Sequence, residues 1–415
     1  MLEMWLSSLA NLSSDTLRWL AIPLVAALTG MLANWIAVQL LFYPRNFIGL
    51  KPLGWQGLIP ARTRQISKII THNLITKVGG VETIFARFEP EQLTKHFTRS
   101  IRPHLETHLD EIMLHKNAVY WENLPIFFKN RFYSHAHRQL EVSLDDLIES
   151  VGDNIHRMWD LEVMLHRALM QDKSILIKLF HEIGDEHFHF LIRAGFFSGF
   201  ICGFFSMFIH LLFPNWWWAI CMLGMISGAV CNWAVIQWVF GPVPALKLGP
   251  FKFQSRFVKK QNELAEKFAN TAAFELITLP NLFGHLLNGP PKKLMKNMIH
   301  KHVSTIVDAV HIKSFAQMSL GLGTFVDLKQ AMTHKTHELM HAAAQDPFFH
   351  QERGERLQKF IAGKLKRLSE KDFNHLMRSA FADEEVWLIW LGALLGLVTS
   401  VLPLIWIYGQ KLIGS

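Results

Sequence analysis

Charge is scarce in this sequence: 18% of its 415 residues are charged, where a soluble protein carries about a quarter. Cysteine is scarcer. Cys202, Cys221 and Cys231 all fall in apolar runs, which excludes a disulfide framework or a CxxC metal site and leaves the redox compartment unread. No GxGxxG, GKS/T or GxSxG is present, which removes dinucleotide, phosphate-loop and nucleophile-elbow chemistry. Gly79-Gly80 is then a turn between helices. Acidic residues are missing from Pro44 to Val81 and again from Gly241 to Asn262.

What is present is apolar. Half of the chain is hydrophobic, with 14 Trp and 32 Phe. Four uncharged runs stand out: Trp19–Tyr43, Ala194–Phe213, Trp216–Phe240 and Val386–Tyr408. Each is long enough for a hydrocarbon core of ~30 Å, which takes about 20 helical residues. Trp19, Tyr43, Trp216, Trp217 and Tyr408 sit at their ends, as interfacial anchors do. Glu3 and Asp15 against Arg18, with the length of the first run, argue against a cleaved signal peptide.

The net charge of +8 is placed for a membrane, and no nucleic-acid partner is expected. Arg45, Lys51, Arg62 and Arg64 follow the first run; Lys247, Lys252, Arg256, Lys259 and Lys260 follow the third. Basic residues this close to a span keep a loop cytoplasmic, and the same collars suit anionic lipid head groups at about 1 kcal/mol per residue. The expected organisation is an N-terminal segment (1–18), span 19–43, cytoplasmic helical domain 44–193, spans 194–213 and 216–240, cytoplasmic helical domain 241–385, span 386–408 and tail 409–415.

The chain repeats itself. "GMLANWIAVQLLFYP" (Gly30–Pro44) and "GAVCNWAVIQWVFGP" (Gly228–Pro242) match at a shift of 198 positions. Pro52 meets Pro250, Gln56 meets Gln254, Phe85 meets Phe283, and Asp185-Glu186 meets Asp383-Glu384. Small residues four apart mark each run: Ala26, Gly30 and Asn34; Gly195, Gly199 and Gly203; Gly224, Gly228 and Asn232; and Gly392, Gly396 and Ser400, the last set one position out of register. Such stripes share one helix face and let backbones approach in lipid. The fold class expected is an all-α integral membrane protein. Four transmembrane helices form two parallel repeats, each reading span, soluble domain, span, about a pseudo-twofold axis. "ALKLGPFKFQ" (Ala245–Gln254) reads as a small juxtamembrane hairpin, and "FIGLKPLGWQG" as a looser one.

Ala33-Asn34-Trp35-Ile36-Ala37 and Gly57-Leu58-Ile59-Pro60, with the glycine-rich last run, resemble the bacterial domain-of-unknown-function family 445, the YheB/YjiN-like membrane proteins, over nearly the whole chain. Ile66-Ser67 replaces the family's Leu-Ala, and "SRFVKK" (Ser255–Lys260) has lost the Gly-x-Ile-Pro of the first unit. The resemblance implies a bacterial inner-membrane protein and brings no activity with it.

Asn34 and Asn232 need partners, since an unpaired amide in hydrocarbon costs about several kcal/mol. A structural role, bonding across the axis or to a neighbouring backbone, outweighs a polar path with Gln39 and Gln237 at its mouth, because no Asp, Glu, Lys or Arg lies deep in any run. His337-Glu338-Leu339-Met340-His341 is a literal HExxH, with His334 one turn earlier. It would bind zinc with Glu338 as general base. Among 22 histidines such a match arises by chance in about one sequence in twenty, a real false-positive risk, and a solvated helix face is the preferred reading. "HEIGDEHFHF" (His181–Phe190) fits no standard metal spacing. The reading is a non-enzymatic scaffold, or carrier of lipid-like molecules, without cofactor, with membrane lipids and envelope proteins as partners. A zinc peptidase and a small-solute transporter are its alternatives.

Overall fold

The computed structural model describes the backbone of residues 2–50, 54–213, 215–243, 246–248, 251–308, 310–379, 385–402 and 405. Side chains are described within these except for 2–20, 116, 117, 120, 246–248, 251–253 and 310–325. Among the described residues the fold is all-α apart from one two-stranded hairpin and one isolated β-bridge.

In chain order the first half holds α1 (Leu2–Phe42), α2 (Leu58–Ala61), α3 (Thr63–Asn73), α4 (Val81–Ala86), α5 (Pro90–Ile101) and α6 (Leu105–Glu122). It continues through α7 (Ile126–Asp153), α8 (Ile155–Met158), α9 (Leu161–Gln171) and α10 (Lys173–Leu212). The second half has α11 (Trp217–Phe240), β1 (Leu246–Leu248), β2 (Phe251–Phe253), α12 (Arg256–Lys259), α13 (Gln261–Thr271) and α14 (Leu279–Asn288). Then follow α15 (Lys292–Val307), α16 (Val310–Ala343), α17 (Pro347–Lys366), α18 (Glu370–Ser379) and α19 (Glu385–Thr399).

The sequence repeat is a structural one at its own register. Helices α2 and α12, and α3 and α13, coincide under the shift of 198. The isolated bridge Ile48–Trp55 answers the β1–β2 pair Leu246–Phe253 at the same shift, so both expected hairpins are there. Helix α3 ends in a π turn at Leu74–Val78, and α13 in one at Ala272–Leu276, again at that shift. One extra residue per turn re-aims the chain that follows.

The residues fall into two compact units. Unit 1 comprises residues 1–69, 173–264 and 367–415. Here α1 packs along α10, and α11 along α19, with further contacts between α10 and α11 and between α1 and α19. Among the described residues three helices are long and apolar enough to cross a membrane, α1 over Ala21–Phe42, α10 and α11, and α19 is a shorter apolar helix. Their outer faces carry Leu24, Phe197, Phe204, Met222, Trp233, Trp387 and Leu394, all exposed. A water-facing helix puts polar residues there, so these faces suit lipid.

The second apolar run is only the end of a helix. Helix α10 begins at Lys173 and continues unbroken through it. In the second repeat the matching stretch holds α18 and α19, with residues 380–384 between them outside the described residues. Arg378 of α18 bonds Glu385 of α19 twice, at 2.7 and 2.8 Å. Asp383 and Glu384 lie outside the described residues, as does most of the fourth run beyond Leu402.

Unit 2 comprises residues 70–172 and 265–366, so the two loops build one unit together. Helix α5 packs on α7 and α16, and α15 on α7. Phe97 of α5 meets Phe283 of α14 edge to face at 5.0 Å, both fully buried. Caps set local starts: Asp160 accepts from Val163 N at α9, and Thr278 from Asn281 N at α14. Buried Arg353 on α17 pairs with Glu89 and Glu352, while Arg356 also reaches Glu89. The Arg353 guanidinium holds the Glu89 carboxyl below the usual carboxylate range.

Candidate functional site

Asn34 and Asn232 are both buried in unit 1. Asn34 Nδ2 donates to Leu191 O at 2.7 Å, and Asn232 Nδ2 to Leu388 O at 2.8 Å. Each acceptor lies four residues before a glycine, Gly195 or Gly392. That glycine is what admits the amide: a Cβ on Gly195 would stand 2.7 Å from Asn34 Nδ2, and one on Gly392 would collide with Asn232 Nδ2 in the same way. The backbones touch further along each pair. A Cβ on Gly30 would strike Gly195 O, and one on Gly228 would strike Gly392 O. Gly199 and Gly203 lie as tightly against α1 around Ala26 and Pro23, and Gly224 and Gly396 against each other's helices. The stripes therefore form two matched crossings, each locked by one asparagine. Asn34 Nδ2 also lies 3.5 Å from Cys231 Sγ, which ties the first pair to α11. Gln39 and Gln237 are half-buried.

Above these crossings unit 1 holds an apolar cavity enclosing about 790 Å³ of empty space, its mouth included. Repeat-equivalent residues share its lining: Leu41 and Val239, Ile59 and Phe257, and, one position out of register, Leu191 and Leu388. Phe180 and Phe188 of α10 close one side. An aromatic run forms another wall, with His187 stacked on Phe257 at 4.8 Å and Phe257 on Phe240 at 5.0 Å. Besides His187, the one polar side chain in the lining is Asn232. Its Oδ1 is buried without a hydrogen-bond partner among the described residues. Sequence reasoning missed this cavity. Its signal was that both halves place bulky apolar residues at equivalent positions after the span, where a close-packed pair would need one of them small.

The basic collars divide. Arg45, Arg64 and Lys259 are exposed, and Arg62 is half-buried. Arg256 lies over the Phe190 and Trp238 rings at 5.9 and 5.8 Å. Lys260 Nζ is 2.5 Å from Glu186 Oε1, so its charge is already answered within the protein. Lys51 and the side chains of Lys247 and Lys252 lie outside the described residues.

The HExxH stretch lies on α16 in unit 2. His337 Nε2 pairs with Leu287 O at 3.1 Å, His341 Nδ1 with Gln345 at 3.3 Å, and Glu338 with His334 and Lys335. The histidine-rich stretch before the second run is likewise engaged: His181 Nδ1 with Asp185 at 3.2 Å, and His189 Nδ1 with Asp185 O at 2.8 Å. Among the described residues no three His, Cys, Asp or Glu side chains are grouped to hold a metal ion. Unit 2 also contains a mostly apolar groove of about 650 Å³ between α6, α7, α15 and α16, edged by His108, His302 and Lys335. Partial burial pushes the His302 imidazole below its ordinary range.

No family model matches the chain, and no curated protein or solved structure matches it.

Proposed function

We propose that this chain is a four-span bacterial inner-membrane protein of the family 445 type. Its soluble segments lie in the cytoplasm, and it binds the apolar chain of a membrane lipid as a non-enzymatic carrier. The observation that carries the reading is the cavity of unit 1. Its walls are aliphatic and aromatic, with His187 and Asn232 the polar side chains among them. Apolar walls take a hydrocarbon chain at a gain of ~25 cal/mol per Å² covered. Arg256, next in the chain to the wall residue Phe257, offers a cation for an anionic head group. The groove in unit 2 supports a carrier over a plain scaffold, since a scaffold has no need of unfilled apolar space.

Four spans are supported by the matched crossings: α19 meets α11 as α10 meets α1, although its described part is shorter. The basic collars at Arg45–Arg64 and Lys247–Lys260 support the orientation. A reporter fused after residue 415 checks it, with an external C-terminus expected.

The test of the function is lipid extraction and mass spectrometry on purified protein, beside Val235→Trp and Ile236→Trp, which fill the cavity. Native protein should carry lipid that both variants lose while keeping their helical content. Equal lipid in native and filled protein would sink the carrier.

A further inference from the structure

The apolar cavity of unit 1 treats the two repeat-equivalent asparagines differently: Asn232 is among its lining residues and Asn34 is not. Asn232 is 1% exposed. Its Nδ2 donates to Leu388 O at 2.8 Å, which settles which end of the amide is nitrogen. Its Oδ1 is buried without a hydrogen-bond partner among the described residues. In the lining Asn232 shares a helix face with Val235 and Ile236, and Leu388 belongs to the same wall. A buried amide oxygen that accepts nothing is costly, and all it can do is accept.

The surroundings decide what donor can reach it. Water in a buried site is held by about two to four polar partners. Beside Asn232 the only polar side chain in the lining is His187, whose ring lies flat on Phe257 at 4.8 Å. A lone water is therefore short of partners and sits against hydrocarbon. Esters, ethers, ketones and carboxylates bring lone pairs to a lone pair. An ammonium group brings protons, but no carboxylate lines the cavity, and an unbalanced charge in apolar surroundings is expensive. An amide N–H carries its carbonyl into the same apolar walls. A hydroxyl on a hydrocarbon chain brings the one proton needed, and its chain covers the walls that water leaves bare.

We propose that the lipid taken by this cavity bears a free hydroxyl, of the long-chain alcohol class, and that Asn232 Oδ1 accepts its proton. The assignment rests on the carrier reading and adds the group that selects among lipids. Chains without a donor fit the walls and leave Asn232 unmet. Arg256 is not in the lining, so an anionic group on the same molecule stays outside it.

The experiment uses the full-length protein in phosphatidylcholine nanodiscs. Tritiated 1-dodecanol is bound to saturation, with nanodiscs lacking protein subtracted. The label is then displaced by unlabelled 1-dodecanol or by 1-methoxyundecane, an isomer whose oxygen carries no proton. The alcohol should displace at a concentration about tenfold lower than the ether, as one buried hydrogen bond supplies. In Asn232→Leu, which keeps the volume and removes the oxygen, the two should displace equally. That variant also loses a helix contact, so the native comparison decides alone if it does not fold. Equal displacement in the native protein overturns the hydroxyl assignment and leaves the carrier standing, as does a preference kept in Asn232→Leu. Absence of saturable binding overturns it too; co-purified lipid that Val235→Trp loses would then show that the carrier survives.

Discussion

At the scale of single residues, the helical glycines of the two units differ sharply in what they are for. Gly195 and Gly392 are each pressed against an asparagine amide and a neighbouring backbone. An added methyl forces the crossing apart, so Gly195→Ala and Gly392→Ala should each cost about 1–3 kcal/mol, the usual range for overpacking. Gly363 on α17 has nothing within 4 Å of where its Cβ would stand. It sits inside a helix, and Gly363→Ala should gain about 0.5–1 kcal/mol through the unfolded chain. Thermal unfolding in detergent of the three variants checks both signs at once. A stabilised Gly195→Ala would show that the asparagine does not lock the crossing. These glycines and asparagines were legible in the sequence because four-residue spacing reports a helix face directly. What each asparagine bonds to was not, since Leu191 and Leu388 offer only backbone.

At the scale of elements, the hairpin after each span was also legible, from alternating residues about a Gly-Pro turn. The π turns at Leu74–Val78 and Ala272–Leu276 were not. A single inserted residue leaves apolar periodicity almost unchanged, and only the recurrence at the same shift marks it as a built feature. Histidines were equally opaque, because whether an imidazole is solvated depends on helices far away in sequence. The helices of unit 2 bury His285 and half-bury His302 and His350, and loss of solvent pushes all three imidazoles below their ordinary range. The unfolded chain then binds protons that the folded one refuses. Their contribution is intact above the unfolded pKa of about 6.5, and falls as pH drops from there toward the lowered folded values. Thermal stability should therefore decline below about pH 6.5, before carboxylates near 4 titrate. A His302→Leu variant should show a flatter profile across that window. A parent profile flat from pH 7.5 to 5 would refute the claim.

At the scale of the whole molecule, duplication in the sequence suggests two modules in tandem, each with its own soluble domain. The contacts follow another plan. Phe97 packs on Phe283 and Glu89 pairs with Arg353, so unit 2 takes its core from both halves. Unit 1 does the same where Asn34 reaches Cys231. The repeat was readable from residue matches alone, but its interleaving was not: periodicity reports which face of a helix is buried and never against which partner. A consequence follows for a chain cut at Pro214, between α10 and α11. Either half alone exposes the apolar faces of α5 and α7, or of α14 and α15, that the other half covers, so neither should accumulate as a folded species. Expressed together, residues 1–213 and 215–415 should assemble and co-purify through a tag on one of them. The loop that joins them has only to bring the halves together, and an entropic cost of closure grows slowly with length. If the first half alone gave a monodisperse protein with a cooperative thermal transition, the two repeats would be independent folding units, and the interleaved core would not be the source of stability.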